Sequence, residues 1–130
     1  MIFVDTNVFM YAVGREHPLR ERARRFFMQL VGSGEPSVTS AEVMQELVHA
    51  YLPVGRLETL DAALLLVESS VAEIWPIEAE DVRAARSLVR AYPGLGARDL
   101  VHLACCLRRN VGSIHTFDRA LAAAFMKQRK

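Results

Sequence analysis

Ile2-Phe3-Val4 is an unbroken apolar run that stops on a carboxylate, Asp5. A run with no polar alternation suits a strand covered on both faces, the situation of a parallel strand between helix layers, better than a half-exposed strand. Three further strand candidates follow: Ser37-Val38-Thr39, Val71 to Ile77 and Val111 to Phe117. Glu73 and Pro76 weaken the third, which places it toward a sheet edge. Between these runs the apolar residues recur with helical spacing. Strands that alternate with helices give an α/β fold with a parallel sheet flanked by helices.

The helical segments have legible ends. Asn7 to Val13 is the first. Pro18 suits the first position of a second, whose apolar face is Ala23, Phe26, Phe27, Leu30 and Val31 and which stops near Gly32-Ser33-Gly34. Thr39 with Glu42 three residues on reads as a capping box for a third, running to about Leu52 before Pro53 and Gly55. Leu57, Leu60, Leu64, Val67 and Val71 carry the period into a fourth, joined to the third as a hairpin. Val82, Ala85, Val89 and Tyr92 mark a fifth, Pro93-Gly94-Leu95-Gly96 breaks it, and Arg98 to Asn110 resumes helix. A last helix starts at Arg119 and leads into the basic tail Lys127-Gln128-Arg129-Lys130.

With 130 residues and 52% apolar content the chain can bury one proper core, so residues 1–130 are expected to form one domain. Sixteen Lys plus Arg nearly cancel 15 Asp plus Glu, so any site for a polyanion must be local. Cys105 and Cys106 are neighbours, with Cα atoms about 3.8 Å apart, below the roughly 4.4 Å at which disulfides begin. They are expected to be free thiols. The opening residues lack a secretory pattern, and the apolar stretch Ala62 to Val67 is far short of the roughly 18 residues of a membrane span. The expectation is a soluble cytoplasmic protein without a membrane partner.

In open parallel sheets ligands bind beyond the carboxyl ends of the strands, which singles out Asp5 and Asp118. Each also reads as a helix N-cap. Asp99 opens the Arg98 to Asn110 helix, where the macrodipole favours a negative charge in any protein. His102, one turn on along the same edge, is open to two readings: a residue of the cleft or a partly buried structural histidine. Glu46 lies beside Val43 and Ala50 at the rim of its helix's apolar face, whereas Glu42 points about 40° further toward solvent. Asp5, Glu46, Asp99 and Asp118 together offer an oxygen-only donor set suited to a hard cation such as Mg²⁺ or Mn²⁺.

These residues also carry a resemblance. Val4-Asp5-Thr6-Asn7-Val8, Ser40-Ala41-Glu42-Val43-Met44-Gln45-Glu46-Leu47, Asp99-Leu100-Val101-His102-Leu103-Ala104 and Thr116-Phe117-Asp118 resemble, in order and spacing, the four motifs of PIN domains. The compact size is similar to that of VapC-type toxins, the endoribonucleases of prokaryotic toxin-antitoxin pairs. The resemblance implies a parallel sheet of four or five strands and metal-dependent hydrolysis of RNA phosphodiesters. Asp5, Glu46, Asp99 and Asp118 would be the acidic site, with metal held chiefly by Asp5 and Asp99. Thr116 would be the supporting hydroxyl residue, and Asn7 the polar residue that steadies the first acidic loop. It implies as partners an RNA substrate, a VapB-like antitoxin and a second copy of the chain.

Two other readings bear on the same residues. Asp5-Thr6-Asn7-Val8 after an apolar strand also resembles the first motif of haloacid-dehalogenase phosphatases, but the second aspartate of that motif is here Asn7. No lysine precedes Lys127 to stabilise a phosphoryl group. A PIN-like module that binds RNA or protein without cutting is the non-enzymatic alternative, and the presence of all four acids argues against it. Arg20, Arg22, Arg24 and Arg25 read as the solvated face of their helix, with Glu21 placed to pair with Arg25.

Overall fold

The computed structural model describes residues 1–129, so Lys130 of the basic tail lies outside the described residues. In chain order the elements are β1 (Ile2–Val4), α1 (Thr6–Val13), α2 (Pro18–Ser33), β2 (Ser37–Ser40), α3 (Ala41–Tyr51), α4 (Leu57–Ser70), β3 (Glu73–Trp75), α5 (Ala79–Leu88), α6 (Ala97–Arg108), β4 (Ser113–His115) and α7 (Arg119–Arg129). The fold is α/β. Among the described residues the sheet has four strands, all parallel, in the order β3-β2-β1-β4. Among the described residues no helix is long and apolar enough to cross a membrane.

Side chains alternate across a strand, so the register assigns the two faces. Phe3 pairs with Val38 and Ile114, and its ring stacks on Trp75 at 5.8 Å and meets His102 at 5.7 Å, which places this face against α6. Val4 pairs with His115, whose ring stacks on Phe26 at 3.8 Å, so the opposite face packs on α2. Phe3, Val4 and Val38 are wholly buried, as a strand covered on both faces requires.

The strand order has a functional consequence. From β1 the chain crosses to β2 and β3 on one side, while β4 joins β1 on the other. Connections diverge at the carboxyl ends of β1 and β4, leaving a crevice there. Asp5 follows β1 directly, and Thr116 and Asp118 follow β4.

Several local expectations need correction. Ser40, not Thr39, caps α3, accepting a hydrogen bond from the Val43 N–H at 3.3 Å. Strand β2 continues through Thr39, whose buried hydroxyl instead donates to the Val4 carbonyl at 2.8 Å and ties β2 to β1. Glu42 therefore has no capping role. It lies 3.9 Å from Arg98. Val31 is 89% exposed, although its spacing assigns it to the buried face of α2. Helix α5 ends at Leu88 and buries Asp81 and Ala85, leaving Val82 and Val89 exposed. The buried Asp81 accepts from Arg108 and Arg109, an arrangement that clamps α5 to the end of α6 and rotates Val82 outward. On α2, Arg24 donates to the Ala12 carbonyl at 2.9 Å and Arg22 lies over the Phe117 ring at 5.5 Å. The face is thus partly engaged, and among the described residues no Glu21–Arg25 ion pair forms.

Candidate active site

Asp5 stands at the centre of the crevice and is 4% exposed. It is both a helix cap and a member of a polar network, so its two sequence readings coexist. Oδ1 accepts from the Thr6 N–H at 2.7 Å, and Oδ2 accepts from the Thr116 hydroxyl at 2.6 Å. Burial pushes its carboxyl above the usual range, against the pull of His102 and the Thr116 hydrogen bond.

Thr116 connects the two strand ends. Its Oγ1 donates to Asp5 and accepts from Asn7 Nδ2 at 3.2 Å and from the Asp118 N–H at 3.0 Å. Asn7 completes the link by accepting from the Phe117 N–H at 3.2 Å. One amide and one hydroxyl thus lock the loop after β1 to the loop after β4. Asp118 Oδ1 accepts from the N–H groups of Ala120 and Leu121 at 2.9 and 3.1 Å, which caps the last helix and fixes the carboxylate's direction.

Asp99, in the first turn of α6, is the acid most affected by its neighbours. Burial, then the Asp118 carboxylate, then that of Asp5 push its carboxyl up to about 6, with Glu46 adding in the same sense. The four acids therefore share one electrostatic neighbourhood. Their mutual repulsion is the situation that a divalent cation relieves.

His102 is the member that sequence reasoning left open. It is completely buried, its Nε2 lies 2.5 Å from Glu46 Oε1 and 3.7 Å from Asp5 Oδ1, and its ring rests on Phe3. Burial alone would lower its pKa, but the bond to Glu46 and the charge of Asp5 raise it. Burial opposes ionisation of Glu46, yet the hydrogen bond and charge of His102 bring its carboxyl below the usual range. The available signal was its position three residues after Asp99, one turn along the same helix edge.

As it stands the site is not a finished metal cage: among the described residues no group of three His, Cys, Asp or Glu side chains is drawn into coordinating position. The chemistry of the donor set nevertheless suits a hard divalent cation, because the acids offer only oxygen and Asp118, Asp5 and Glu46 all act to raise the pKa of Asp99. Thr6, buried next to Asp5, lies on the Glu46 side of the cluster and helps lower the pKa of that carboxyl. Cys105 and Cys106 are free and buried; burial pushes the Cys105 thiol up to about 12 and the Cys106 thiol well above its ordinary value, so neither is a nucleophile or soft metal ligand.

A family model for the PIN domain matches residues 2–125. The chain belongs to the PIN-domain family. Ribonuclease VapC23 of Mycobacterium tuberculosis is 63% identical to this PIN domain over 125 residues, which cover 96% of this chain and 98% of that protein. Among solved structures, VapC20 of Mycobacterium tuberculosis, a Sarcin-Ricin loop cleaving toxin, superposes with a TM-score of 0.76 at 23% identity, covering 95% of each chain. VapBC2 of Rickettsia felis, solved bound to a DNA fragment from its promoter, superposes with a TM-score of 0.67 at 19% identity, covering 91% of this chain and 88% of that one. At those identities the structural likeness concerns the fold.

Proposed function

We propose that this PIN domain is a metal-dependent endoribonuclease that hydrolyses RNA phosphodiester bonds as the toxin of a VapBC-type toxin-antitoxin pair. The observation that carries the reading is the convergence of Asp5, Asp99 and Asp118 at the switch point of the sheet, with Glu46 held alongside by His102. The close relationship to Ribonuclease VapC23 supports it.

Asp5 and Asp99 would hold Mg²⁺ or Mn²⁺, with Glu46 and Asp118 completing the negative field. When bound, such an ion lowers the pKa of a water and offsets charge building on the phosphoryl oxygens. The chain's own contribution is orientation. Thr116 fixes Asp5 Oδ2, Asn7 fixes Thr116, and the backbone cap fixes Asp118, so these two acids are held in place by the protein itself. His102, bonded to Glu46 from within the core, sets the position of that carboxylate.

The partners follow from the same reading. A VapB-like antitoxin would reach the acids with an Arg or Lys side chain. A homodimer with its two clefts on one surface, working in the cytoplasm, is the expected assembly. The direct test is single-stranded RNA incubated with the protein in Mg²⁺ or Mn²⁺, with and without EDTA, beside a generic phosphate monoester. Metal-dependent cleavage of RNA alone supports the proposal. Undiminished RNA cleavage by Asp5→Asn in EDTA overturns it, and monoester hydrolysis through a covalent Asp5 intermediate replaces it with the phosphatase reading.

A further inference from the structure

A pocket of about 550 Å³ opens beside the acid cluster, lined in part by Asn7, Tyr11, Arg15, His17, Tyr51 and Arg56. It shares Asn7 with the carboxylate network, and Asn7 reaches Asp5 through Thr116 alone. The pocket therefore begins one side chain away from the acids. Asn7, Tyr11 and Gly14, four and then three residues apart, lie along one stripe of α1. A Cβ at Gly14 would come within 2.8 Å of the Met10 carbonyl oxygen, so no side chain projects from that part of the wall.

The lining sets the rings of Tyr11 and His17 and the apolar Met10 and Val54 beside the cations Arg15 and Arg56. The Tyr11 and His17 rings lie 4.6 Å apart, and the edge of Phe117, next to Asp118, meets Tyr11 at 5.6 Å. Arg56 sits over the Tyr51 ring at 5.6 Å and Arg22 over Phe117 at 5.5 Å. Arg15 is exposed at the mouth, and a single carboxylate, Glu16, stands among these cations. The volume falls within the roughly 300–1,000 Å³ of small-molecule sites. An apolar protein side chain would gain nothing from the arginines, whereas a polyanion carrying flat rings would use both features. Unpaired RNA bases are recognised in this way, splayed out and stacked on aromatic rings and guanidinium planes.

We propose that this pocket receives one unpaired nucleobase of single-stranded RNA, stacked on Tyr11, with Arg15 and Arg56 on the flanking phosphates, and so sets which phosphodiester meets the acids. The inference rests on the ribonuclease reading and adds a specificity-determining subsite.

The test uses the full chain and a short oligouridylate carrying iodouridine, in calcium to hold turnover off. Photocrosslinking should join the base to a peptide containing Tyr11 or His17. By fluorescence anisotropy, Tyr11→Leu should weaken binding about tenfold while Tyr11→Phe retains it. Arg15→Gln, at an exposed position with no folding risk, should reduce the slope of log affinity against log salt by ~0.7. Crosslinks confined to other surfaces, with unchanged affinity in Tyr11→Leu and an unchanged salt slope in Arg15→Gln, overturn the subsite. Loss of affinity by these variants for a protein inhibitor, with RNA binding unaltered, also overturns it and makes the pocket a protein-docking site. Metal-dependent cleavage of the unmodified strand is scored separately: if it persists while the pocket results are negative, only the subsite falls, and if it never occurs, the nuclease reading falls with it.

Discussion

Nε2 of His102 lies 2.5 Å from Oε1 of Glu46, in a position from which solvent is excluded on the histidine side. Burial disfavours charge on both groups, and their mutual bond overcomes it, raising the histidine pKa and lowering that of the glutamate. Two pH limits follow for the metal-free protein. The contribution of Glu46, whose folded pKa is depressed, is present above its unfolded value and is lost as pH falls through the folded one. That of His102, whose folded pKa is raised, is complete below its unfolded value and is lost as pH rises through the folded one. His102→Asn should cost about 3–5 kcal/mol in urea unfolding at neutral pH, because it leaves Glu46 and Asp5 without their buried cationic partner. A loss below that range with the same pH profile as the parent would show that the histidine is neutral in the fold.

Asp99 gives the sign opposite to that of Glu46. Its carboxyl titrates at about 6 in the fold and at an ordinary value unfolded, so the metal-free protein should lose stability as pH rises through that interval. The shift corresponds to ~3 kcal/mol at most, and solvent access reduces this to about 1–2 kcal/mol. Asp99→Asn should therefore stabilise the metal-free protein at neutral pH. The same substitution should abolish the rise in melting temperature that Mn²⁺ produces in the parent. Calorimetry at pH values on either side of 6 checks both.

For catalysis, Asp5→Asn keeps the shape of the side chain and removes its charge, so RNA cleavage and metal affinity should fall together while the circular dichroism spectrum is unchanged. The fall should exceed the ~10–100-fold typical of removing a supporting residue. Glu42→Gln, on the same helix as Glu46 but paired with Arg98, should cleave as the parent does. Calcium should bind and support little turnover.

Thr116→Val removes the hydroxyl that accepts from Asn7 and donates to Asp5 without changing the size of the side chain. Activity should drop ~10–100-fold. Asn7→Ala should do the same through Thr116, and the double variant should be no worse than either single one, since both act on one network. Additive losses in cleavage assays would show two independent roles.

Asp81 provides a control outside the site. It is fully buried with two guanidinium partners, Arg108 and Arg109, which despite burial hold its carboxyl well below the usual range. Asp81→Asn should cost about 3–5 kcal/mol in chemical denaturation and leave metal affinity intact. The contribution of Asp81 is present above its unfolded pKa and disappears as pH falls through the depressed folded value, so it is an acid-sensitive clamp.

The contrast between Asp5 and Asp81 shows where reading a sequence reaches its limit. Asp5 ends an apolar run, and that local contrast is enough to mark it. Asp81 lies on a polar helix and would be assigned to solvent by any periodicity argument. Its burial depends on Arg108 and Arg109, which are supplied by a different helix. His102 is a similar case: its spacing from Asp99 placed it near the cleft, but its bond to Glu46 joins residues 56 positions apart.

The sequence by itself determined the alternation of strands and helices, the parallel sheet and the edge position of the third strand, and it singled out the candidate acids, because these rest on periodicity, on strand-end position and on motifs whose partners are near in the chain. It did not determine that Ser40 caps α3, that Thr39 bonds Val4, or that Val31 and Val82 face solvent. Those outcomes depend on strand register and helix rotation, which are set by contacts between elements. Only the tertiary structure decided through which bonds Asp5, Thr116 and Asn7 form one network and that His102 meets Glu46 and Asp5 from within the core. Hydrogen bonds and Coulomb energies fall off over a few ångströms, so they are fixed by three-dimensional proximity and leave no periodic trace along the chain.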